Sequence, residues 1–209
     1  MSGFARTERQ DLARTLLEVG PEAPTLCEGW RARDLAAHLV VRETRPDAAP
    51  GIVVRPLRGW TAKVQRDVAA QPYEQLVERF RRPPLWAPMS WGPVEEVANL
   101  TEHFVHHEDV RRAVDGWQPR RLPTAYDEAL WRTLETRGRV FFARSPVGVV
   151  LRLPDGRTTV ARPGTPAVTL VGPAQELVLY AFGRTDHALV EVEGDAETLS
   201  AFRGSSLGI

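Results

Sequence analysis

Residues 99–113, NLTEHFVHHEDVRRA, are the most informative segment of the sequence. It holds three of the chain's five histidines together with three carboxylates. Gly92-Pro93 precedes it with a helix start signal, because proline suits the first position of a helix. The pattern predicts a helix from about Pro93 to about Val114, ended by Gly116.

Two polar residues of this helix share one face. Glu102 and His106 are separated by about 40° around the axis and by about 6 Å along it, and Asp109 falls on the same side. Val105 and Val110 lie there too, so we expect the face to turn inward. A buried carboxylate and imidazole need partners or a cation. A divalent metal would satisfy both, because imidazole nitrogen and carboxylate oxygen are ordinary zinc ligands.

The helix alone leaves a second arrangement open. His103 and His107 have the same spacing, and Phe104 belongs to another apolar stripe on the opposite side. Glu102 and His106 could also form a plain pair of neighbours one turn apart, with no metal. Periodicity does not choose between these alternatives.

A third ligand must come from elsewhere in the chain, and His38 is the best candidate. It belongs to an earlier helix, predicted from about Gly29 to about Thr44, and lies between Leu35 and Val41 on the helical wheel. The imidazole therefore points toward the core. The alternative is a core histidine that is hydrogen-bonded to a backbone carbonyl or a carboxylate.

Composition limits the classes of partner. The chain has 209 residues, 43% of them hydrophobic, which is enough for a proper core. It carries 27 basic and 27 acidic residues, so no net field attracts nucleic acid or an anionic membrane, and no apolar run approaches a membrane span. Cys27 is the only cysteine, which excludes an intrachain disulfide and a thiolate cluster and favours the cytoplasm. We interpret it as a small buried hydrophobe rather than a nucleophile.

The order of elements predicts an α+β fold: a bundle of four long helices over residues 1–144, then a small α+β domain over residues 145–209 packed on it. The boundary is set at Ser145-Pro146, where helical periodicity gives way to strand patterns. The further predicted helices cover 2–19, 57–69, 72–82, 124–144, 173–182 and 196–202, and the strands cover 147–153, 157–161, 167–171 and 188–193.

Two motifs resemble those of the mycothiol-dependent maleylpyruvate isomerase family, whose metal-binding domain is a DinB-like (DinB/YfiT) four-helix bundle. Residues 30–38, WRARDLAAH, are similar to the family's W-x-x-x-[DE]-L-x-x-H. Glu102-x-x-x-His106-x-x-Asp109 resembles its E-x-x-x-H-x-x-D. The order of the motifs and the α+β tail behind them make the combination more specific than either motif alone.

The resemblance implies a metal held by His38, Glu102 and His106. Zinc is the first choice, with nickel, manganese and cobalt as alternatives. Asp109 would orient His106 rather than bind the metal, and His103 and His107 would be supporting or structural residues. Arg184, which follows Gly183, matches a glycine-arginine pair of the family's carboxy-terminal domain, and the match implies a catalytic residue that binds an anionic group of the substrate.

The activity implied by the resemblance is that of an S-transferase or isomerase. Its cosubstrate would be mycothiol, a low-molecular-weight thiol, and its second partner a small electrophile that the resemblance does not identify. Two alternatives remain. One is a metal-dependent hydrolase. The other is a non-catalytic metal-binding or interaction protein that forms a homodimer through its bundle faces.

Overall fold

A computed structural model of the chain describes residues 3–52, 54–84, 86–87 and 92–204. They fall into two compact units, Met1–Pro119 and Arg120–Ile209. Helices build the first unit, and the second combines helices with a four-stranded sheet, so the predicted α+β class is confirmed. None of the helices in the described ranges has both the length and the apolar character needed to cross a bilayer.

The first unit is a helical bundle. Its longest helix, α5, packs along α1, while α2 packs against α3 and α4 and α1 also contacts α4. Apolar side chains of these helices, among them Leu12, Leu35 and Leu76, form a shared buried core. The helices are α1 (Phe4–Val19), α2 (Ala32–Thr44), α3 (Arg58–Ala69), α4 (Tyr73–Arg81) and α5 (Gly92–Arg111).

Helix α2 starts three residues later than predicted, at Ala32 rather than Gly29. Gly29 has a φ of +74°, a left-handed conformation that glycine adopts without strain, and it forms a turn ahead of the helix. The helix begins where the Asp34 carboxylate accepts a hydrogen bond from the backbone N–H of Arg31 at 2.9 Å. This cap sets the position of every later side chain on α2.

The second unit is built on a sheet with strand order β2-β1-β3-β4. Strand β1 pairs antiparallel with β2, as predicted for a hairpin, and parallel with β3, while β4 pairs antiparallel with β3. The strands are β1 (Gly148–Arg152), β2 (Thr158–Arg162), β3 (Ala167–Val171) and β4 (Glu191–Glu193). The helices are α6 (Thr124–Phe141), α7 (Ala174–Ala181) and α8 (Ala196–Arg203).

Helix α6 belongs to the second unit. It packs against β2 and α7, and its buried side chains include Leu130, Leu134 and Phe141. The division between the compact units lies between Pro119 and Arg120, whereas a boundary at residues 144 and 145 would group α6 with the bundle helices. The difference amounts to one helix and its leading loop.

Candidate metal centre

Three polar side chains from two helices converge in the first unit. His38 lies on α2, and Glu102 and His106 lie one turn apart on α5. Nε2 of His38 is 3.4 Å from Oε1 of Glu102, and Nε2 of His106 is 3.2 Å from the same oxygen. The three donor atoms lie within 4.8 Å of one another. The structure therefore brings together the three residues that the motifs single out.

Two of the three separations between these atoms, those from Glu102 to each histidine, are close to the separation of two ligands on one cation. Distances of 3.2 and 3.4 Å are at or beyond the long end of N–H···O hydrogen bonds. Two nitrogen or oxygen ligands of a tetrahedral zinc ion are separated by about 3.3–3.6 Å, since each lies about 2.0–2.2 Å from the metal. The Glu102 side chain is 20% exposed, against 8% for His38 and 10% for His106, so solvent meets this cluster mainly at the carboxylate.

The buried carboxylate of Asp109 is hydrogen-bonded to the imidazole of His106. Nδ1 of His106 is 2.9 Å from Oδ2 of Asp109, whose side chain is fully buried. The carboxylate accepts a hydrogen bond from Nδ1–H, so in the neutral ring the proton is on Nδ1 and the lone pair of Nε2 points toward Glu102 and His38. Metal-binding histidines are commonly oriented in this way.

The surroundings of Glu102 favour its charged form. Burial alone would raise the pKa of Glu102, but its contacts with the imidazoles of His106 and His38 and the charge of Arg42 outweigh burial and hold the pKa well below its usual value. Nε of Arg42 is 3.2 Å from Oε1 of Glu102. The two terminal nitrogens of Arg42 donate to the side-chain oxygen of Asn99 at 2.6 Å and to the backbone carbonyl of Ala98 at 2.9 Å.

The two imidazoles of the cluster differ in basicity. Burial lowers the pKa of His38, and the charges of His106 and Arg42 lower it further. Burial also lowers the pKa of His106, but its hydrogen bonds outweigh burial and raise this pKa well above the ordinary value. The hydrogen bond with Asp109 makes the largest contribution. His38 is therefore neutral, while a cation that binds at Nε2 of His106 must replace a proton.

The other two histidines of α5 bridge helices. Nε2 of His103 is 2.8 Å from a carboxylate oxygen of Glu43 on α2, and its Nδ1 is 3.1 Å from the carbonyl oxygen of Ala5 on α1. Nδ1 of His107 is 2.6 Å from a carboxylate oxygen of Glu8, also on α1. These contacts fix the rotation of α5 so that Glu102 and His106 face His38.

Arg184 lies in the second unit, just before a short 3-10 turn at Thr185–His187. Its side chain is half-buried, and its Nη1 donates a hydrogen bond to the carbonyl of Phe182 at 2.5 Å. Its role in binding an anionic substrate group stays a prediction.

Sequence reasoning missed two neighbours of the cluster. Arg42 follows His38 by one helical turn, the same spacing that marks Glu102 and His106, so its place beside the site was accessible from the pattern. Cys27, interpreted from the sequence as a small buried hydrophobe, is half-buried, and its Sγ is 3.2 Å from Oδ2 of Asp109.

Comparisons with known proteins identify the fold. No family model matches the chain, and no curated protein matches it. The chain is similar to the crystal structure of a mycothiol-dependent maleylpyruvate isomerase, with 19% identity, a TM-score of 0.57, and coverage of 91% of this chain and 90% of that one. A histidine-to-alanine mutant of that isomerase gives 19% identity, a TM-score of 0.58 and 90% coverage of both chains. The resemblance predicted from the two motifs is confirmed at the level of the fold.

Proposed function

We propose that this chain is a divalent-metal-dependent enzyme of the mycothiol-dependent maleylpyruvate isomerase family, an isomerase or S-transferase that uses a small thiol. His38, Glu102 and His106 would hold the metal. The observation that carries the proposal is the meeting of two imidazole nitrogens at one carboxylate oxygen, at 3.4 and 3.2 Å. The fold shared with the isomerase supports mycothiol as the thiol. Zinc fits the donor set, and nickel, manganese or cobalt are the alternatives.

Three protein ligands leave at least one coordination position open, as is typical of catalytic zinc sites. The chemistry that such a cation supplies when bound is Lewis acidity, which lowers the pKa of a thiol so that the nucleophilic thiolate is available near neutral pH. The chain's own residues prepare the site. Asp109 accepts a hydrogen bond from Nδ1–H of His106, and Arg42 stabilises the ionised carboxylate of Glu102.

The substrate would be a small electrophile with an anionic group. We assign the binding of that group to Arg184, on the basis of the glycine-arginine pair at Gly183-Arg184. A guanidinium binds a carboxylate through two parallel hydrogen bonds. The nucleophile is the thiol cosubstrate, so the mechanism requires no nucleophilic cysteine from the chain.

Metal analysis tests the ligand assignment. We expect about one equivalent of zinc in the wild type and a loss of most of it in His38→Ala and Glu102→Ala, because each variant removes one of three ligands. His187→Ala and Glu135→Ala remove the same side chains elsewhere and should retain the metal. Equal metal content in all five proteins would overturn the proposal.

A thiol titration of the cobalt-substituted protein tests the reaction class. Mycothiol should produce a thiolate-to-cobalt charge-transfer band in the wild type and none in His38→Ala. Arg184→Ala should keep its metal and its band, but its KM for an anionic electrophile should rise. If the loaded enzyme instead hydrolyses esters or amides with no thiol present, and mycothiol leaves the spectrum unchanged, the hydrolase alternative replaces the thiol enzyme.

A further inference from the structure

The loop that leads into α2, residues 25–30, contains several hydrogen bonds between its own residues. Oγ1 of Thr25 accepts a hydrogen bond from the backbone N–H of Cys27 at 3.2 Å and donates one to the carbonyl of Trp30 at 2.9 Å. The backbone N–H of Trp30 also donates to the carbonyl of Cys27 at 3.0 Å. Gly29 allows the tight turn through its left-handed backbone. The loop therefore presents Cys27 and Trp30 in fixed positions.

This loop contacts the ring of His38 directly, and it contacts Asp109, the carboxylate hydrogen-bonded to His106. The Trp30 ring lies 5.0 Å from the ring of His38, centroid to centroid. The backbone N–H of Leu26 donates to the carbonyl of Asp109 at 3.0 Å. The Cys27 thiol donates to Oδ2 of the same aspartate at 3.2 Å.

Oδ2 of Asp109 is shared by two donors. It accepts from Nδ1 of His106 at 2.9 Å and from the thiol of Cys27 at 3.2 Å, and the aspartate is fully buried. Hydrogen-bond donors hold a buried carboxylate in one orientation. The Cys27 thiol therefore helps to orient Oδ2 of Asp109, and Oδ2 in turn orients the ring of His106. Sγ of Cys27 is 3.9 Å from Nδ1 of His106, the nitrogen on the opposite edge of the ring from Nε2. The sulfur thus lies near the ring nitrogen that faces Asp109, whereas Nε2 is the nitrogen proposed to bind the cation.

We infer that Cys27 is a positioning residue of the metal centre: its thiol donates to Asp109 and so holds His106 in the orientation that binds the cation. This inference rests on the proposed function, because it assigns a role toward the same cation. This role differs from that of a nucleophile, and it is an alternative to direct metal binding by Cys27, His106 and Asp109, whose ligand atoms also lie within 4.8 Å of one another. Orienting Asp109 requires the S–H hydrogen-bond donor of Cys27, and a side chain of the same volume without a donor would not be sufficient.

Three substitutions separate the donor from the volume. Cys27→Ala removes both, Cys27→Val fills the space without a donor, and Cys27→Ser restores a donor. Zinc affinity is measured for each protein by competition with a chromophoric chelator, and the ligand geometry is read from the visible spectrum of the cobalt-substituted protein. The unfolding midpoint of each metal-free protein reports purely structural damage.

We expect Cys27→Ala and Cys27→Val to raise the Kd for zinc by about tenfold or more, within the range found when outer partners of metal ligands are removed. Their cobalt spectra should shift, while Cys27→Ser should recover the wild-type spectrum and lie within about threefold of the wild-type Kd, since a hydroxyl also donates to a carboxylate. In an Asp109→Asn background, Cys27→Ala should add little, because the shared acceptor is already altered.

The outcomes are distinct. Wild-type affinity and spectra in the alanine and valine variants would overturn the inference and leave the proposed function standing. An equal loss in all three variants would overturn it as well, because the effect would then follow shape rather than hydrogen bonding. If the wild type itself binds no zinc or cobalt, the proposed function fails first.

Discussion

At the scale of single residues, buried charges set the register of α5. Nη1 of Arg9 on α1 contacts a carboxylate oxygen of Glu43 at 2.5 Å, and its Nη2 contacts Glu95 at 3.0 Å. These side chains are between 1% and 7% exposed. His103 joins the group through Glu43. Removing one partner from such a cluster leaves an uncompensated buried charge, which costs more than the pair contributes by its presence.

Glu43→Gln should lower the free energy of unfolding by about 3–5 kcal/mol at pH 7. Burial raises the pKa of Glu43, but its hydrogen bond with His103 and the charges of His103 and Arg9 outweigh burial and lower the pKa below its ordinary value. The folded-state pKa is thus below the unfolded one, so the contribution is fully present above about pH 4.5 and is lost as the pH falls through the folded-state value.

Urea unfolding of the two proteins at pH 7 and near pH 3.5 checks this prediction. The difference in unfolding free energy should shrink at the lower pH, because protonated Glu43 resembles glutamine. The exposed Glu22→Gln serves as the control and should stay within about 0.5 kcal/mol of the wild type. A difference that is the same at both pH values would show that Glu43 contributes by packing rather than by charge.

The residues of the site were only partly accessible from the sequence. Spacing alone left two pairs open on α5, Glu102 with His106 and His103 with His107. Every residue from His103 to Val110 is buried, and a helix that is buried all round does not show which face carries the site. The resemblance to the family motif chose Glu102 and His106. The hydrogen bond from Cys27 to Asp109 was not predictable, since it depends on how a loop folds back onto a helix distant in sequence.

At the scale of elements, helix α6 and strand β2 approach each other closely at a glycine. A Cβ atom added at Gly138 would lie 3.0 Å from Cβ and 3.2 Å from Cα of Ala161. The neighbouring Cα belongs to a paired strand, which cannot shift as a flexible side chain can. Glycine therefore allows α6 to lie against the sheet despite its low helix propensity.

Gly138→Ala should destabilise the protein by about 1–2 kcal/mol, because overpacking at the strand exceeds the gain in helix propensity. Gly59→Ala on α3 is the matched control, since a Cβ there would have nothing within 4 Å. That variant should be neutral or more stable by up to about 1 kcal/mol. Thermal unfolding followed by circular dichroism measures both. Equal stabilisation by the two substitutions would show that β2 yields to the added methyl group.

Most elements were predictable because their signals are local. Proline and glycine bound the helices, and the alternation before and after the turn at Gly156 marks the hairpin of β1 and β2. Strand β4 is shorter than predicted, Glu191–Glu193 instead of residues 188–193. The first residues of that predicted strand form a turn in which the backbone N–H of Leu189 donates to the Glu176 carboxylate at 2.9 Å.

At the scale of the whole molecule, the sequence predicts the class of each part better than the boundary between them. An amphipathic helix reports that one face is buried, but it does not report which neighbour covers that face. Residues 124–144 are predicted from the sequence to belong to the bundle, whereas α6 packs against β2 and α7. The contacts of α6 with β2 and α7 decide this, and they become visible only in three dimensions.

The central claim is that one cation is held by His38, Glu102 and His106, and anomalous diffraction at the zinc edge from crystals of the zinc-loaded protein tests it most directly. We expect one strong peak about 2.0–2.2 Å from Nε2 of each histidine and from a carboxylate oxygen of Glu102, with no fourth protein ligand. A peak elsewhere in the protein, or none at these three residues, would show that they do not form the metal centre.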